Sequence, residues 1–300
     1  MLGIGRKIKK NFSSFIIKYV RKNFSKKVYS FFLFLSIIRK FKKEINKQKK
    51  NDKFSNKLDK INHYEYRITS QNNEDGIIEY IFSKVSNNKF FVELGFDFFE
   101  CNSLNLIKNG WNGILIDADE DKCLKMERCL KFFYPENNVK ILNKKIYREN
   151  INELIFQNIN VKQIDFLSID IDGNDYWVLE KIDTNNINVI CNEYNPWLGN
   201  NSKKVIPYDK NFTYDYCDKL SYYGGSLLSY VNLLKSKNFD LIAVDSSGTN
   251  SFHVKREFLK HFEILSATGS FRKASKFYSD KEISKIENDT NNYNFIDLNI

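Results

Sequence analysis

FDLIAVDSSGTNSFHVKR, residues 239–256, decides which α/β fold this chain takes. Its two halves, FDLIAVD (239–245) and NSFHVKR (250–256), are rich in β-formers, and only SSGT separates them. So short a connection closes an antiparallel hairpin, because a parallel pair needs a crossover of about a dozen residues or more. Upstream the rhythm is different. Strand patterns at 89–95, 113–118, 138–143, 164–170 and 187–193 alternate with helical patterns at 102–109, 119–132, 148–158 and 173–183. A helix over 73–86, capped by Asn72 or Asn73, precedes the first strand, and one over 226–237 leads into the hairpin. Such alternation builds a parallel sheet with right-handed crossovers. The expectation is an α/β domain with a mostly parallel, seven-stranded sheet that ends in an antiparallel β-hairpin.

Three of the strand patterns end in acidic residues. FVELGFDFFECNS (91–103) carries Glu93 and Asp97, NGILIDAD (112–119) carries Asp117 and Asp119, and DFLSIDIDGNDYWVL (165–179) carries Asp170 and Asp172. Ligands of open α/β sheets bind at the carboxyl ends of the strands. Carboxylates there suit ribose hydroxyls or a cation. The cluster Asp170, Asp172, Glu193, with Asn174, Asp175 and Asn195 nearby, offers hard oxygen ligands of the kind Mg²⁺ or Ca²⁺ takes.

The charge is divided unevenly. Residues 1–60 hold 19 Lys/Arg against 3 Asp/Glu, whereas the rest holds 28 against 34. A mildly acidic body excludes a nucleic-acid-binding core, and no nucleic acid is expected as a partner; the basic arm suits an anionic surface. From Lys7 to Lys47 there is no Gly or Pro, and apolar residues recur at Phe12, Ile16, Tyr19/Val20, Phe24, Val28, Phe31/Phe32, Leu35 and Ile38. Steps of three and four give a helix with one apolar face. Three destinies remain open for it: an anionic membrane interface, packing on its own domain or a second subunit, or a disordered arm. The longest apolar run, VYSFFLFLSII (28–38), is too short to cross a bilayer, and no signal peptide pattern is present. Five cysteines without a CxxC pair argue against a disulfide framework and a zinc site. A cytoplasmic protein is expected, soluble or peripheral on the inner face of the membrane. The divisions are residues 1–60, a basic amphipathic helical arm and linker; 61–256, the α/β domain; and 257–300, a helical or irregular tail.

A family resemblance then becomes specific. FVELG (91–95) with Asp97 and Asn102, GW.GILID (110–117) and FLSIDIDGNDY (166–176) resemble the FkbM-type methyltransferases, in particular a bacterial branch of that family. SQNNEDGII (70–78), EYNP (193–196), IPYD (206–209), GGS (224–226) and GTNSFHV (248–254) resemble that branch in the same order. The resemblance implies a Rossmann-like class I methyltransferase fold and S-adenosylmethionine (SAM) as methyl donor. It implies a donor-binding set of Glu93, Gly95, Asp97, Asn102, Asp117 and Asp170. Members usually carry small residues after Gly95, where this chain has Phe96, Phe98 and Phe99. Those rings either narrow the pocket or stack on its ligand.

Several residues keep two readings each. Glu93 holds the loop backbone or the donor's amino group, or is a buried capping carboxylate. Asp117 ends the second strand, where a carboxylate accepts both ribose hydroxyls; Asp119 suits a helix cap. Asp170, Asp172 and Glu193 are the candidate metal ligands, while Asp170 also suits the donor's amino group and Asp172 a helix N-terminus. His253 and Asp172 are the candidate catalytic residues, His253 as general base or as a structural histidine. The stretch 195–225 is rich in Trp and Tyr and forms either a substrate lid or a packed insertion. Asn195, Tyr208 and Asp209 are its candidate substrate contacts. The expected activity is O-methylation of a small or glycan-like acceptor. The competing reading is a catalytically inactive methyltransferase-like module at a membrane surface.

Overall fold

The computed structural model describes residues 26–51 (backbone only over 26–33), 59–215, 217–273 and 278–299. The chain divides into two units, residues 1–44 and 45–300. The first holds nearly all of α1 (Lys26–Ile45), a helix without Gly or Pro. The remainder of the helix expected from Lys7, and the side chains of Phe31 and Phe32, lie outside the described residues. Among the described residues no helix is long and apolar enough to cross a membrane.

The second unit alternates as the sequence does. In chain order come α2 (Glu74–Phe82), β1 (Phe90–Leu94), α3 (Leu104–Lys108), β2 (Asn112–Asp117), α4 (Glu120–Phe133) and β3 (Val139–Asn143). Then come α5 (Ile151–Phe156), β4 (Ile164–Ile169), α6 (Asp175–Lys181), β5 (Ile187–Glu193), β6 (Lys204–Val205), α7 (Leu227–Ser236), β7 (Phe239–Val244) and β8 (Asn250–Lys255). The chain closes with α8 (Ala267–Ser270), α9 (Asp280–Asn291) and β9 (Ile296–Asp297).

Seven strands form one sheet in the order β3-β2-β1-β4-β5-β8-β7. The joints from β3 to β5 are parallel; β5–β8 and β8–β7 are antiparallel. This is the Rossmann-like class I methyltransferase arrangement, and its hairpin is the one that SSGT closes. The central strands are covered on both faces, which is why they read as unbroken apolar runs: all six residues of β4 are buried. Edge strand β3 has a broken burial pattern instead. One core layer joins Val92, Leu94, Ile169, Ile190, Tyr194 and Tyr230 with the helices of that face. Each such aliphatic or aromatic side chain contributes about 1.5–3 kcal/mol through burial.

Buried Asp165 fastens the strand starts. Its carboxylate accepts Asn88 N–H and Phe90 N–H, both at 2.9 Å, and Asn188 Nδ2 at 3.1 Å. The division expected over residues 1–60 ends in a linker. Lys50 instead bridges to Arg67, and Asn51 Nδ2 donates to the Glu65 carbonyl; residues 52–58 lie outside the described residues.

Candidate active site

Strand registers place the acidic tips on one face. Glu93 pairs with Ser168, Ser168 with Cys191, and Cys191 with Phe252. Side chains alternate across a sheet, so residues two steps on share that face. The next row is Asp117, Gly95, Asp170, Glu193 and Asn250, where Glu193 pairs directly with Asn250. It lies at the carboxyl ends of the parallel strands, under α2 and α3.

The loop after β1 is built around Glu93. This carboxylate, 3 % exposed, accepts Asn102 N–H at 3.0 Å, Ser103 N–H at 2.8 Å and the Cys101 thiol at 3.3 Å. Burial raises its pKa against those hydrogen bonds. It therefore holds the loop and the start of α3. Gly95 has φ +72°, and a Cβ there would lie 1.7 Å from the Asp170 carbonyl oxygen. Phe96 and Phe98 are buried, while Phe99 is 36 % exposed and packs edge-on against Phe98. Asp97 is exposed and accepts Phe99 N–H. Asn102 turns inward, its amide 3.1 Å from Ser168 Oγ.

Asp117 faces the same loop. Its Oδ1 accepts Asp119 N–H at 2.7 Å; its Oδ2 lies 3.3 Å from Phe96 N and 3.4 Å from Lys122 Nζ. Asp119 caps α4 by accepting Lys122 N–H.

One carboxylate oxygen each from Asp170, Asp172 and Glu193 lie within 4.8 Å of one another. Asp172 has φ +53°, a left-handed conformation that a non-glycine residue holds only when its surroundings impose it. Asp175 imposes it here: its carboxylate accepts Ile171 N–H and Gly173 N–H, each at 2.8 Å. Burial, then Asp172, Asp175 and Glu93, hold the Asp170 carboxyl well above the usual range. Burial, then Asp170, Asp172 and Asp175, do the same to Glu193. The Asn192 amide donates to the Glu193 carbonyl at 3.2 Å, while the Glu193 carboxylate accepts no hydrogen bond among the described residues.

The stretch 195–225 is fastened over this cluster. Asn174 Nδ2 donates to the Asp209 carbonyl at 2.8 Å, Gly224 N–H to the Gly173 carbonyl at 3.0 Å, and the Phe212 ring covers Gly173. Asn195, fully buried, donates to the Ser221 and Tyr223 carbonyls and accepts Trp197 N–H. It is a staple of the lid rather than a surface group. Asp209 caps its own turn by accepting Asn211 N–H. Tyr208 faces elsewhere: its hydroxyl donates to Glu149, and the Arg148 guanidinium lies 4.1 Å from its ring centre. His253 pairs with Ile190, on the sheet face opposite Glu193 and about 10 Å back along the strand. It is fully buried beside Ser251 Oγ, and burial pushes its pKa down to about 3. A base needs access to a substrate proton, and this ring faces core.

A second layer that the sequence did not reveal covers the lid. Tyr222 packs against Tyr293 and Phe295, Tyr293 OH donates to the Asp218 carbonyl, and Thr290 Oγ1 donates to Ser221. β9 pairs antiparallel with β6. The tail 257–300 is thus built onto the site. A buried acidic set also escaped notice. Asp75 accepts Ile68, Thr69 and Ser70 N–H, Glu74 accepts Asn250 Nδ2, and Glu65 accepts Ser246 N–H.

These carboxylates make stability depend on pH. The Asp175 carboxyl, pushed up by burial to about 6, starts from an ordinary value of 3.8. Its folded pKa is raised, so its contribution is fully present below about pH 4 and is lost as pH rises through about 6. Two units correspond to about 3 kcal/mol. The melting midpoint is expected to be higher at pH 5 than at pH 7.5, and Asp175→Asn to flatten that difference. Equal pH slopes for variant and parent would remove Asp175 from the account.

No protein-family model matches this chain, and no curated protein does. Solved structures of similar shape include an S-adenosylmethionine-dependent methyltransferase from Clostridium acetobutylicum ATCC 824, 13 % identical, at TM-score 0.39 over 61 % of this chain and 90 % of that one. The N-terminal domain of EvdMO1 with SAH bound is 12 % identical, at TM-score 0.43 over 74 % of this chain and 95 % of that one. The O-methyltransferase from Bacillus cereus in complex with SAH is 14 % identical, at TM-score 0.35 over 56 % and 74 %. All three scores lie below 0.5, so the fold assignment rests on the strand order itself.

Proposed function

We propose that this chain is a SAM-dependent methyltransferase of the FkbM-like kind that methylates an oxygen of a small or glycan-like acceptor. The row Asp117–Gly95–Asp170–Glu193 at the strand ends carries this reading. Gly95 lets the loop pass close over Asp170, where any side chain would block it. Asp117 fits a ribose. A carboxylate offers roughly four acceptor positions, and three donors are present, one of them a long contact from partly exposed Lys122. Asp170, Asp172 and Glu193 fit a divalent cation, which would lower the pKa of a bound acceptor hydroxyl. In the transfer, the acceptor oxygen displaces the donor's sulfonium sulfur in line and takes the methyl group. Its proton passes to a carboxylate of this cluster or to solvent. Proximity and alignment supply most of the rate. In the same reading the basic arm, with 19 cationic residues among its first 60, meets an anionic membrane surface.

One observation favours the second reading, a catalytically inactive module. Phe96 and Phe98 are buried at 4 % and 6 % exposure in the loop where the family carries small residues. Titration of the full chain with SAM and S-adenosylhomocysteine separates the two, since a ligand bound by the native state raises the melting midpoint. A rise is expected, with Asp117→Ala weakening SAM binding by about 1.5–3 kcal/mol. No rise with either ligand would leave the inactive module standing.

A further inference from the structure

One strip beside the strand-end row is positive on a body that is otherwise mildly acidic. Residues 140–148, KILNKKIYR, hold Lys140, Lys144, Lys145 and Arg148 and no acidic residue. The strip starts at the row itself, because Lys144 N–H donates to the Asp117 carbonyl at 3.0 Å. The stretch 195–225 meets it from the other side. Lys145 Nζ lies 5.6 Å and Lys210 Nζ 4.5 Å from the centre of the same Tyr147 ring. Tyr208, which turns away from the acidic cluster, joins here, with the Arg148 guanidinium over its ring and its hydroxyl on Glu149. The next residue, Asp209, is tied by its carbonyl to Asn174, two residues beyond Asp172. The strip therefore runs between Asp117 and the acidic cluster.

Its charge is not spent within the protein. Glu149 is engaged by Arg148 and Tyr208, and the Asp209 carboxylate by Asn211 N–H. Lys144, Lys145 and Lys210 are exposed, and none pairs with a carboxylate among the described residues. On α4, by contrast, Lys125 and Lys131 pair with Asp121 and Glu127. Cations gathered around two rings repel one another, and a bound anion relieves that repulsion. The ring contacts also fix where the cationic heads stand.

We infer that this strip binds a phosphoryl group, carried by the acceptor as a phosphate or diphosphate ester. Three ammonium groups and a guanidinium offer its oxygens charge-assisted hydrogen bonds. The inference rests on the methyl-transfer reading for its place in the reaction. The strip anchors the acceptor by a part that does not react and leaves its hydroxyl to the acidic cluster.

The test is calorimetric titration of the full chain with inorganic pyrophosphate in metal-free buffer, with S-adenosylhomocysteine present. Binding is expected, and raised salt should weaken it. The double change Lys145→Gln and Lys210→Gln should weaken the strip's share about tenfold, and Lys145→Arg with Lys210→Arg should keep most of it. The difference between parent and variant isolates the strip from the basic arm, which both carry. Lys125→Gln with Lys131→Gln removes the same charge from α4 and should change nothing. Equal titrations of the parent and the Lys145→Gln, Lys210→Gln chain would overturn the inference. An equal loss from the α4 pair would do so too, by showing only diffuse attraction. Sedimentation with phosphatidylserine-rich vesicles should be the same for parent and variant; a loss in the variant would give the strip to the membrane and overturn its role toward the acceptor. Strip-dependent binding in a chain that shows no response to SAM would instead sink the methyl-transfer reading and leave the strip standing.

Discussion

Replacing Gly95 by alanine is expected to lower stability by roughly 2–5 kcal/mol and to abolish the SAM-induced rise in melting midpoint. Two costs combine. The left-handed backbone at φ +72° is strained for any residue with a Cβ. The added carbon would also sit 1.7 Å from the Asp170 carbonyl oxygen and 3.2 Å from the Ile171 side chain. The first of these neighbours is backbone, so the loop or the end of β4 must shift. Either shift moves Asp170 or the backbone beside Asp117, which are the groups proposed to hold the donor. Gly110→Ala provides the control. Its φ is +80°, but nothing lies within 4 Å of the added carbon, so only the backbone cost of about 1 kcal/mol applies. The measurement is thermal melting of both variants with and without SAM. A Gly95→Ala protein as stable as Gly110→Ala, with its SAM response intact, would show that the close crossing does not matter.

The sheet was legible because each of its strands carries its own signal. Val92, Leu94, Ile114, Ile116, Leu167 and Ile169 are apolar on a face that the helices cover, and the strand bounds fall within one or two residues of expectation. The hairpin was legible for a different reason: SSGT leaves no room for a crossover. Site residues were legible only where a strand end fixes them. Asp117, Asp170 and Glu193 stand in one row because register and pleat place them there. Asn195, Tyr208 and His253 could not be read this way. The partners of Asn195 and Tyr208 lie more than twenty residues away, and a linear pattern does not encode that. Asn195 spends its amide on Ser221 and Tyr223, and His253 falls on the far face by a single step of strand parity. Glu74 and Asp75 look like ordinary acidic residues of a helix start, yet both are buried and organise the loop behind the site. The Asp175 carboxylate was noticed as a neighbour of the cluster, but its hold on Ile171 and Gly173 is visible only in three dimensions.

Removal of the arm is expected to change membrane association from nearly complete to negligible. The first 60 residues carry 19 basic and 3 acidic side chains, while the body is mildly acidic. Each Lys or Arg near an anionic bilayer contributes about 1 kcal/mol, so half a dozen engaged at once shift partitioning by roughly four orders of magnitude. Aromatic and aliphatic residues on one helical face add the apolar part of the attraction, and Leu35, at 44 % exposure, is one that the described helix presents to solvent. The full chain should therefore sediment with phosphatidylserine-rich vesicles, and raised salt should release it. A chain beginning at Ile61, which lacks all 19 of those basic residues, should remain in the supernatant and keep its response to SAM. Equal sedimentation of the shorter chain would assign membrane binding to the body or disprove it for the arm. A shorter chain that melts early or loses its SAM response would instead make α1 part of the domain's own packing, the second of the destinies its apolar face allows. Salt-insensitive sedimentation of the full chain would show that its aromatic face, not its charge, dominates the attachment.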